Sequence, residues 1–470
     1  MKKTLTVLTL ALIALSANAQ VDTRNHPVPP QAPVAAPVDQ PAPAPKPQKV
    51  HSTVYGFVRN YMTLDSRGMY TVCGSDYNNM PFDESWNLPV SKRDQFDEAD
   101  VNDIPTMQFH ALSTRFGLRL DGPNVLGAKS TGRIEADFAG FSTTNTVLRL
   151  RLAYVDLNWG GRHALRVGQD WHPLSGEIMP DALGFAAGAP FRPHSRTPQF
   201  RYMFSTASGL GAQAHLLYQY QFQSPGPDGA SEKYANNALI PEFFVGLNYR
   251  QGPIYAQIGA DVLTIRPRTL ATETATEYVY NGSDNVLTTI GDYKTKVDDR
   301  LTSVSPTVYF QYVEGLFSVK LRSTYAQNTA HVNQISGYGI SAFNPDGSQD
   351  YTPLRSSISY INFAYGKKFK GNLFFGFMKN LGTADDLAVN AAGKYTMYLK
   401  NNTINNVNYM WRVAPSISYN LAHFNVGLEY ELTSVNYGDY SKMKADATFD
   451  SDDCHNVNGH RVCLLVKYNF

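Results

Sequence analysis

The sequence predicts an all-β protein, a 16-stranded antiparallel transmembrane β-barrel with short periplasmic turns and long extracellular loops. Three observations predict this fold. Charged and apolar residues alternate along many short segments, and the connections between these segments alternate in length. The chain also carries an export leader at its start and an amphipathic segment ending in Phe at its end. A membrane barrel produces this alternation because each strand shows one face to lipid and the other to water.

The N-terminal region consists of an export leader and a spacer. Two lysines precede the apolar run 5–15, and the small residues 17–19 form a cleavage site, so residues 1–19 are predicted to be a cleaved signal peptide. Residues 20–51 form a Pro/Ala-rich stretch with nine prolines between positions 27 and 47. Such a composition predicts an extended periplasmic tether. The barrel is expected over 52–470.

Composition excludes several classes of protein. Cleavage of the leader removes Lys2 and Lys3, so the mature chain has 39 basic residues against 40 acidic ones and a net charge near −1. A chain with almost no net charge is not a general binder of polyanions, so we expect no nucleic-acid partner. A mean hydropathy of −0.31 is too polar for a helical membrane protein. Aromatic residues make up 12% of the chain, as suits the aromatic girdles of a barrel.

Sixteen segments have the character of strands. They are 53–64, 106–120, 130–140, 146–158, 163–170, 196–205, 211–222, 242–250, 254–266, 302–313, 316–328, 356–367, 371–380, 406–419, 423–434 and 460–470. Most short connections are turns with Gly or Pro, such as NWGGR and KFKG. They alternate with long connections, apart from a short link near 141–145. An even strand number with this alternation indicates an outer-membrane barrel.

The stretch TVLRLRLAYVDLNW (146–159) shows the alternation clearly. Side chains on a strand point to opposite faces in turn, so Arg149 and Arg151 share one face. The other face carries Leu148, Leu150, Leu152 and Tyr154. The same period recurs in GRIEADF, FSVKLRSTY and FNVGLEYELT. We therefore expect Arg149 and Arg151 to face water inside a pore.

The C-terminal segment HRVCLLVKYNF predicts how the barrel is assembled. Apolar residues alternate with polar ones, and Tyr468 and Phe470 lie on the apolar face. A terminal aromatic residue on an amphipathic last strand resembles the signal read by the barrel assembly machinery, which we expect to be a partner. Outer-membrane lipid is the other expected partner of the apolar face.

The chain resembles the DcaP-type trimeric porins of Gram-negative outer membranes over about 52–470. The resemblance is carried by YGFVRNYMTLDSR, LRLRLAYVDL, VGQDWHPL, PFRPHSRTPQFR, FMKNLGTADDL, WRVAPSISY and FNVGLEYELTSVNYG. It implies a sixteen-stranded barrel, a homotrimer and passive uptake of small solutes, often anionic. This chain has the Pro/Ala tether where some members carry an N-terminal coiled coil.

One long connection and one set of charges are the candidate selectivity elements. The connection 171–195 is apolar in its middle and rich in Gly and Pro, so we expect it to fold into the lumen as a constriction; a trimer contact is the alternative. Six arginines with inward parity on consecutive strands predict a basic wall that attracts anions: Arg115, Arg133, Arg149, Arg151, Arg166 and Arg201. Glu135, Asp137 and Asp170 are expected to pair with them and hold them extended.

These features predict a porin for passive diffusion of small hydrophilic, preferentially anionic solutes. A structural or adhesive surface barrel without an open channel remains the alternative. The chain has no GxSxG, HExxH or Gly-rich phosphate loop, so no enzyme and no cofactor are expected. The histidines at 110, 172 and 194 lack metal-ligand spacing, so no metal site is expected either.

Three cysteines leave the disulfide state open. First and last strands are neighbours in a closed barrel, so a bridge from Cys73 in the first outer loop to Cys454 in the last would tie its seam. An oxidising compartment favours such a bridge. The alternatives are a local bridge between Cys454 and Cys463, or no bridge.

Overall fold

A computed structural model describes residues 50–70, 88–91, 100–140, 147–176, 178–184, 188–280, 283, 285–400 and 406–470. The predicted signal peptide, the tether up to residue 49 and Cys73 lie outside these ranges. Among the described residues, no helix is both long and apolar enough to cross a membrane.

Sixteen strands, here β1 to β16 in chain order, form the main sheet. They are β1 (His51–Asp65), β2 (Thr106–His110, continued by Arg115–Val125), β3 (Ala128–Gly140), β4 (Val147–Trp159), β5 (His163–Trp171), β6 (Arg196–Ser205), β7 (Leu210–Leu217), β8 (Glu242–Gln251), β9 (Ile254–Ile265), β10 (Leu301–Glu314), β11 (Phe317–Gln327), β12 (Gln349–Gly366), β13 (Phe369–Thr383), β14 (Val407–Asn420), β15 (Phe424–Gly438) and β16 (Cys454–Asn469). Each strand pairs antiparallel with its neighbours in the sequence, and β16 pairs with β1. The predicted closed barrel of sixteen strands is confirmed.

The connections alternate between two kinds. At one end of the barrel, turns of two to four residues join β2 to β3, β4 to β5 and each later pair. The longer connections at the other end contain the other elements that the structure describes: Met69–Tyr70, Leu88–Pro89, the helix Lys233–Ala238, the hairpin Leu270–Tyr280 with Asn285–Lys296, Gly337–Phe343, Met397–Leu399, and short 3₁₀ turns at Thr329–Val332, Tyr440–Lys442 and Ser451–Asp453.

The seam of the barrel is closed by backbone pairing and by a buried ion pair. The backbone of Phe470 exchanges two hydrogen bonds with Gly56, at 3.0 and 3.1 Å. The Phe470 ring lies so close to Gly56 that an added Cβ would stand 2.6 Å from it. At the other end of the same strand pair, the Arg461 guanidinium donates to both carboxylate oxygens of Asp65, at 2.6 and 2.9 Å.

The outer face of the barrel is apolar and the inner face is polar. Leu148, Ile258 and Ile417 on the outside are 55%, 60% and 66% exposed, whereas the inward Glu135 and Asp137 are buried. The faces predicted for GRIEADF, FSVKLRSTY and FNVGLEYELT are all observed. Because the apolar surface faces away from the protein, it is the surface that lipid covers.

A β-bulge overturns one expectation in β4. Glu135 of β3 lies opposite Leu152, and Ala136 lies opposite Leu150, so Arg151 is an extra residue in the ladder. A bulge reverses the side-chain parity beyond it. Leu152 and the residues after it therefore no longer follow the face of Leu148 and Leu150: Leu152 is buried inside the barrel instead of facing lipid.

Several strands extend beyond the apolar pattern that predicted them. The last strand begins at Cys454 rather than at 460, because the polar segment 454–459 still pairs with β15. Cys463 lies nine residues further along that strand, with its side chain buried on the inner face. At about 3.3 Å per residue the two cysteines are roughly 30 Å apart, far beyond the ~7 Å that a disulfide spans. The alternative of a local Cys454–Cys463 bridge is therefore wrong, since the two cysteines are not bonded to each other.

Candidate functional site

The connection between β5 and β6, residues 172–195, lies inside the barrel. We call it the inner loop. Its described residues are largely buried, and Leu174, Ile178 and Phe191 have almost no exposed surface. Its hydrogen bonds reach inward-facing side chains of β1, β10, β11, β12, β14 and β15. The expected inward folding is confirmed, since an outward loop could not contact strands on the far side of the barrel.

Inward-facing side chains of the barrel strands hold the inner loop, mostly by hydrogen bonds to its backbone. Three wall tyrosines donate hydroxyl hydrogen bonds to loop carbonyls: Tyr61 to Leu183 at 3.0 Å, Tyr309 to Pro173 at 2.7 Å and Tyr360 to Ile178 at 2.8 Å. On β15, the two carboxylate oxygens of Glu429 accept the amides of Leu183 and Gly184, at 2.7 and 2.8 Å. These contacts satisfy backbone groups that a buried loop would otherwise leave unpaired.

Two lysines and one glycine of the barrel strands complete the attachment. The loop carboxylate Asp181 lies 2.9 Å from Lys320 and 3.1 Å from Lys370. Partial burial raises the pKa of Asp181, but the two ammonium groups outweigh it, so this pKa lies below its usual range. Gly376 lets the Phe191 ring approach the wall, because an added Cβ at Gly376 would stand 2.4 Å from the ring.

The side of the barrel formed by β2 to β6 carries the predicted arginines and carboxylates on its inner face. They form two neighbouring networks of ion pairs. Glu135 and Asp137 hold the first: Arg115–Glu135 (3.4 Å), Arg133–Glu135 (3.0 Å), Arg151–Glu135 (3.0 Å), Arg151–Asp137 (2.7 Å) and Arg149–Asp137 (3.0 Å). Arg166 holds the second, with Asp156 (2.7 Å) and Asp170 (2.5 Å). Arg201 on β6 is buried beside this network. Asp156 joins it because the bulge turns this part of β4 inward, which sequence parity had not indicated.

Two cavities follow this basic wall. One of about 410 Å³ lies between the wall and the start of the inner loop, and one of about 480 Å³ lies closer to the short turns. Arg133, Tyr154 and Arg166 line both cavities, so the two adjoin. Together they are lined by five arginines, Arg115, Arg119, Arg133, Arg166 and Arg201, and by three carboxylates, Glu135, Asp156 and Asp170. The lining has a formal excess of two positive charges.

Arg149 and Arg151, which were expected to face water inside a pore, differ in their exposure. Arg149 and Arg151 both point inward, but the Arg151 side chain is only 2% exposed. Glu135 and Asp137 bind it, and its guanidinium carbon lies 5.7 Å from the Trp171 ring centroid. The expectation that Arg151 faces water is therefore wrong, because the carboxylates and the ring cover it. Arg149 retains 17% side-chain exposure.

A second inward segment comprises residues 328–336, which, apart from Asn328, were expected to belong to an outer loop. It is buried throughout, and its Val332 carbonyl accepts a hydrogen bond from the His194 backbone amide of the inner loop, at 2.9 Å. In this segment His331 meets His172 and Glu242, and the ligand atoms of all three lie within 4.8 Å of one another. Sequence spacing offered no signal for this group, because its members come from three separate connections and strands.

The other two histidines noted in the sequence have structural contacts. The His110 ring lies 5.6 Å from the Tyr61 ring, and Nδ1 of His194 accepts a hydrogen bond from the Arg192 guanidinium within the inner loop. Burial and the neighbouring guanidinium of Arg192 hold the pKa of His194 well below its usual range.

A closed sixteen-stranded barrel with a loop folded into its interior is the architecture of an outer-membrane porin. The chain is similar to the outer membrane channel DcaP of Acinetobacter baumannii, with 17% identity, 90% of this chain and 97% of that chain covered, and a TM-score of 0.56. This similarity shows the fold, and it agrees with the resemblance seen in the sequence.

Two further solved structures are similar at a TM-score of 0.48. They are an anion-selective porin from Comamonas acidovorans, 13% identical over 90% of this chain and 100% of that chain, and the loop L8 deletion mutant of OmpT, an outer membrane protein of Vibrio cholerae, 10% identical over 90% and 99%. No family model and no curated protein matches the sequence.

Proposed function

We propose that this protein is an outer-membrane porin that lets small hydrophilic solutes, preferentially anions, diffuse along the basic wall. The observation that carries the proposal is the pair of adjoining cavities between that wall and the inner loop, with five arginines and three carboxylates in their lining. The inner loop fills the other side of the barrel, where hydrogen bonds attach it to β10, β11, β12, β14 and β15. The passage is therefore confined to the side of the basic wall.

The basic wall has the charge distribution of a weak and reversible binding site for anions. Each carboxylate holds one or more guanidinium groups extended, and the remaining excess of positive charge attracts an anion. Arg133 is the most open of the paired arginines, with 39% side-chain exposure. An anion can thus exchange water for guanidinium contacts at low cost, and it leaves easily because the neighbouring carboxylates weaken the attraction.

The remaining expectations belong to the same proposal. The chain is exported through a cleaved signal peptide, inserted into a Gram-negative outer membrane by the barrel assembly machinery, and assembled as a homotrimer. Phe470 supports the role of the last strand in assembly, since it completes the pairing between β16 and β1. The resemblance to DcaP-type porins supports the trimer.

Charge-neutralising variants test the proposal. Arg115→Gln combined with Arg133→Gln removes both excess charges from the cavities and leaves Glu135 paired with Arg151. Each charge contributes about 0.7 kcal/mol to an ion about 6 Å away in water, and less in salt, so the anion-to-cation permeability ratio should fall about tenfold in 0.1 M salt. The measurement is the reversal potential of single channels under a salt gradient.

A matched control removes two charges outside the cavities. Lys233→Gln with Arg300→Gln changes net charge equally, but both residues lie in the long connections and line neither cavity. This control should keep the wild-type ratio. Equal ratios for both double variants and wild type would reject the basic wall as the selective element. A wild-type protein that shows no open current would instead support a structural or adhesive barrel. Replacing Arg149 and Arg151 together by Ala should shift the reversal potential less, because Arg151 is buried.

A further inference from the structure

Three side chains from distant parts of the chain converge inside the barrel. His172 begins the inner loop, Glu242 begins β8, and His331 belongs to the second inward segment. The Nε2 atoms of His172 and His331 lie 2.7 and 2.9 Å from the same carboxylate oxygen, Oε1 of Glu242. All three side chains are buried, and their ligand atoms lie within 4.8 Å of one another.

The surroundings of this group contain polar atoms that lack hydrogen bonds. Glu242 Oε2 and Asp261 Oδ1 are both buried, and neither has a well-aligned hydrogen bond in the part of the chain that the structure describes, although the two carboxyl groups interact with each other. Asp261 Oδ1 also lies 3.9 Å from Nε2 of His172. Two neighbouring carboxylates in a buried place repel each other unless a proton or a cation lies between them, so this pair beside two imidazoles indicates a place for a cation.

We propose that His172, Glu242 and His331, with Asp261 as a fourth ligand, bind a structural divalent metal ion of the zinc type. Two imidazoles with carboxylates suit zinc and similar first-row ions, whereas magnesium and calcium prefer oxygen ligands alone. With metal–ligand distances of about 2.0–2.2 Å, tetrahedral geometry separates ligand atoms by about 3.4 Å. The Nε2 atoms of His172 and His331, now 2.7 and 2.9 Å from Glu242 Oε1, must therefore move outward by roughly 0.5–0.7 Å, and Asp261 Oδ1, now 3.9 Å from Nε2 of His172, must move closer.

Coordination requires one existing contact to change. The backbone amide of Leu174 donates to Nδ1 of His172 at 3.1 Å, so this ring carries its proton on Nε2. A neutral imidazole that coordinates a metal through Nε2 carries its proton on Nδ1 instead. Metal binding therefore releases the Leu174 amide and shifts the start of the inner loop. His331 meets no such obstacle, since its Nδ1 has no donor near it among the described residues.

The ion would join two inward segments to the barrel wall. It would connect the inner loop, the segment 328–336 and strands β8 and β9, and so fix the part of the inner loop that borders the cavity of about 410 Å³ at the basic wall. Because the site is buried, the role is structural and the ion exchanges slowly. This inference does not depend on solute selectivity.

The first test uses the full-length protein, purified from membranes without chelator. We expect about one zinc ion per protomer by mass spectrometry of the metal content. After chelator treatment, added Zn²⁺ should raise the temperature at which the folded barrel converts to the slowly migrating unfolded form, and Mg²⁺ should not. A protein that contains no zinc and shows no response to Zn²⁺ would overturn the proposal.

Variants show whether the named ligands hold the ion. His331→Ala and Glu242→Gln should each weaken Zn²⁺ binding at least tenfold, since loss of even an outer-shell partner costs that much. The control is His423→Asn, which removes an exposed histidine in the turn between β14 and β15. If both ligand variants bind Zn²⁺ like the control, the group is only a hydrogen-bonded cluster. His331→Ala keeps the test valid if Glu242→Gln does not fold.

Discussion

Replacing Glu429 by Gln should loosen the inner loop without removing it. Both carboxylate oxygens accept loop amides, from Leu183 and Gly184. Gln keeps one acceptor and places an NH₂ group against the second amide. Loss of one hydrogen bond costs about 0.5–1.5 kcal/mol, and leaving a buried amide unsatisfied costs about 1–3 kcal/mol more. A loss of about 3 kcal/mol raises the detached-loop population roughly a hundredfold.

The assay combines single-channel recording with liposome swelling in sugars of increasing size. Glu429→Gln should give more frequent conductance fluctuations and admit larger sugars than wild type. Glu314→Gln is the matched control, because Glu314 lies at the end of β10 beside a short turn and touches no part of the inner loop that is described. A folded Glu429→Gln protein with wild-type noise and size limit would refute the reasoning that this loop sets the width of the passage.

Three further predictions concern the seam. Deleting Phe470, or replacing it with Lys, should leave the protein degraded or stalled in the periplasm, and normal surface levels by labelling would contradict this role. Asp65→Asn leaves Arg461 buried without its bidentate partner, at a cost of about 3–5 kcal/mol, so the barrel should unfold at lower temperature in detergent. Non-reducing peptide mapping should recover Cys73 linked to Cys454; separate peptides would end that prediction.

The sequence predicted the fold well because a membrane barrel imposes one simple rule on every strand. Period-two alternation identified all sixteen strands, and short turns, most of them with Gly or Pro, alternated with long connections between them. The inner loop was predictable for a related reason: the apolar middle of 171–195 would be unfavourable in an exposed loop. Strand ends were less accurate, since polar residues continue the pairing beyond the apolar pattern, as at Cys454.

The interior was predicted only in part. Parity placed all six arginines on the inner face, but it could not show the bulge at Arg151, which depends on how two strands align. Nor could it distinguish a guanidinium in a cavity from one covered by Trp171. The convergence of His172 with Glu242 and His331 depends on two loops folding inward together, which no local pattern records.

The way the inner loop is held has a consequence for how the protein can change. Most of its anchors, such as the hydroxyl of Tyr360 and the carboxylate of Glu429, bind carbonyls and amides that every residue possesses. Substitutions in the loop can therefore alter the side chains that a passing solute contacts while these backbone hydrogen bonds persist. Substitution of Tyr61, Tyr309 or Tyr360, in contrast, removes one of the hydrogen bonds that hold the loop. The side chains of the inner loop can therefore change independently of the barrel strands, and new selectivities can arise by point mutation in the loop alone.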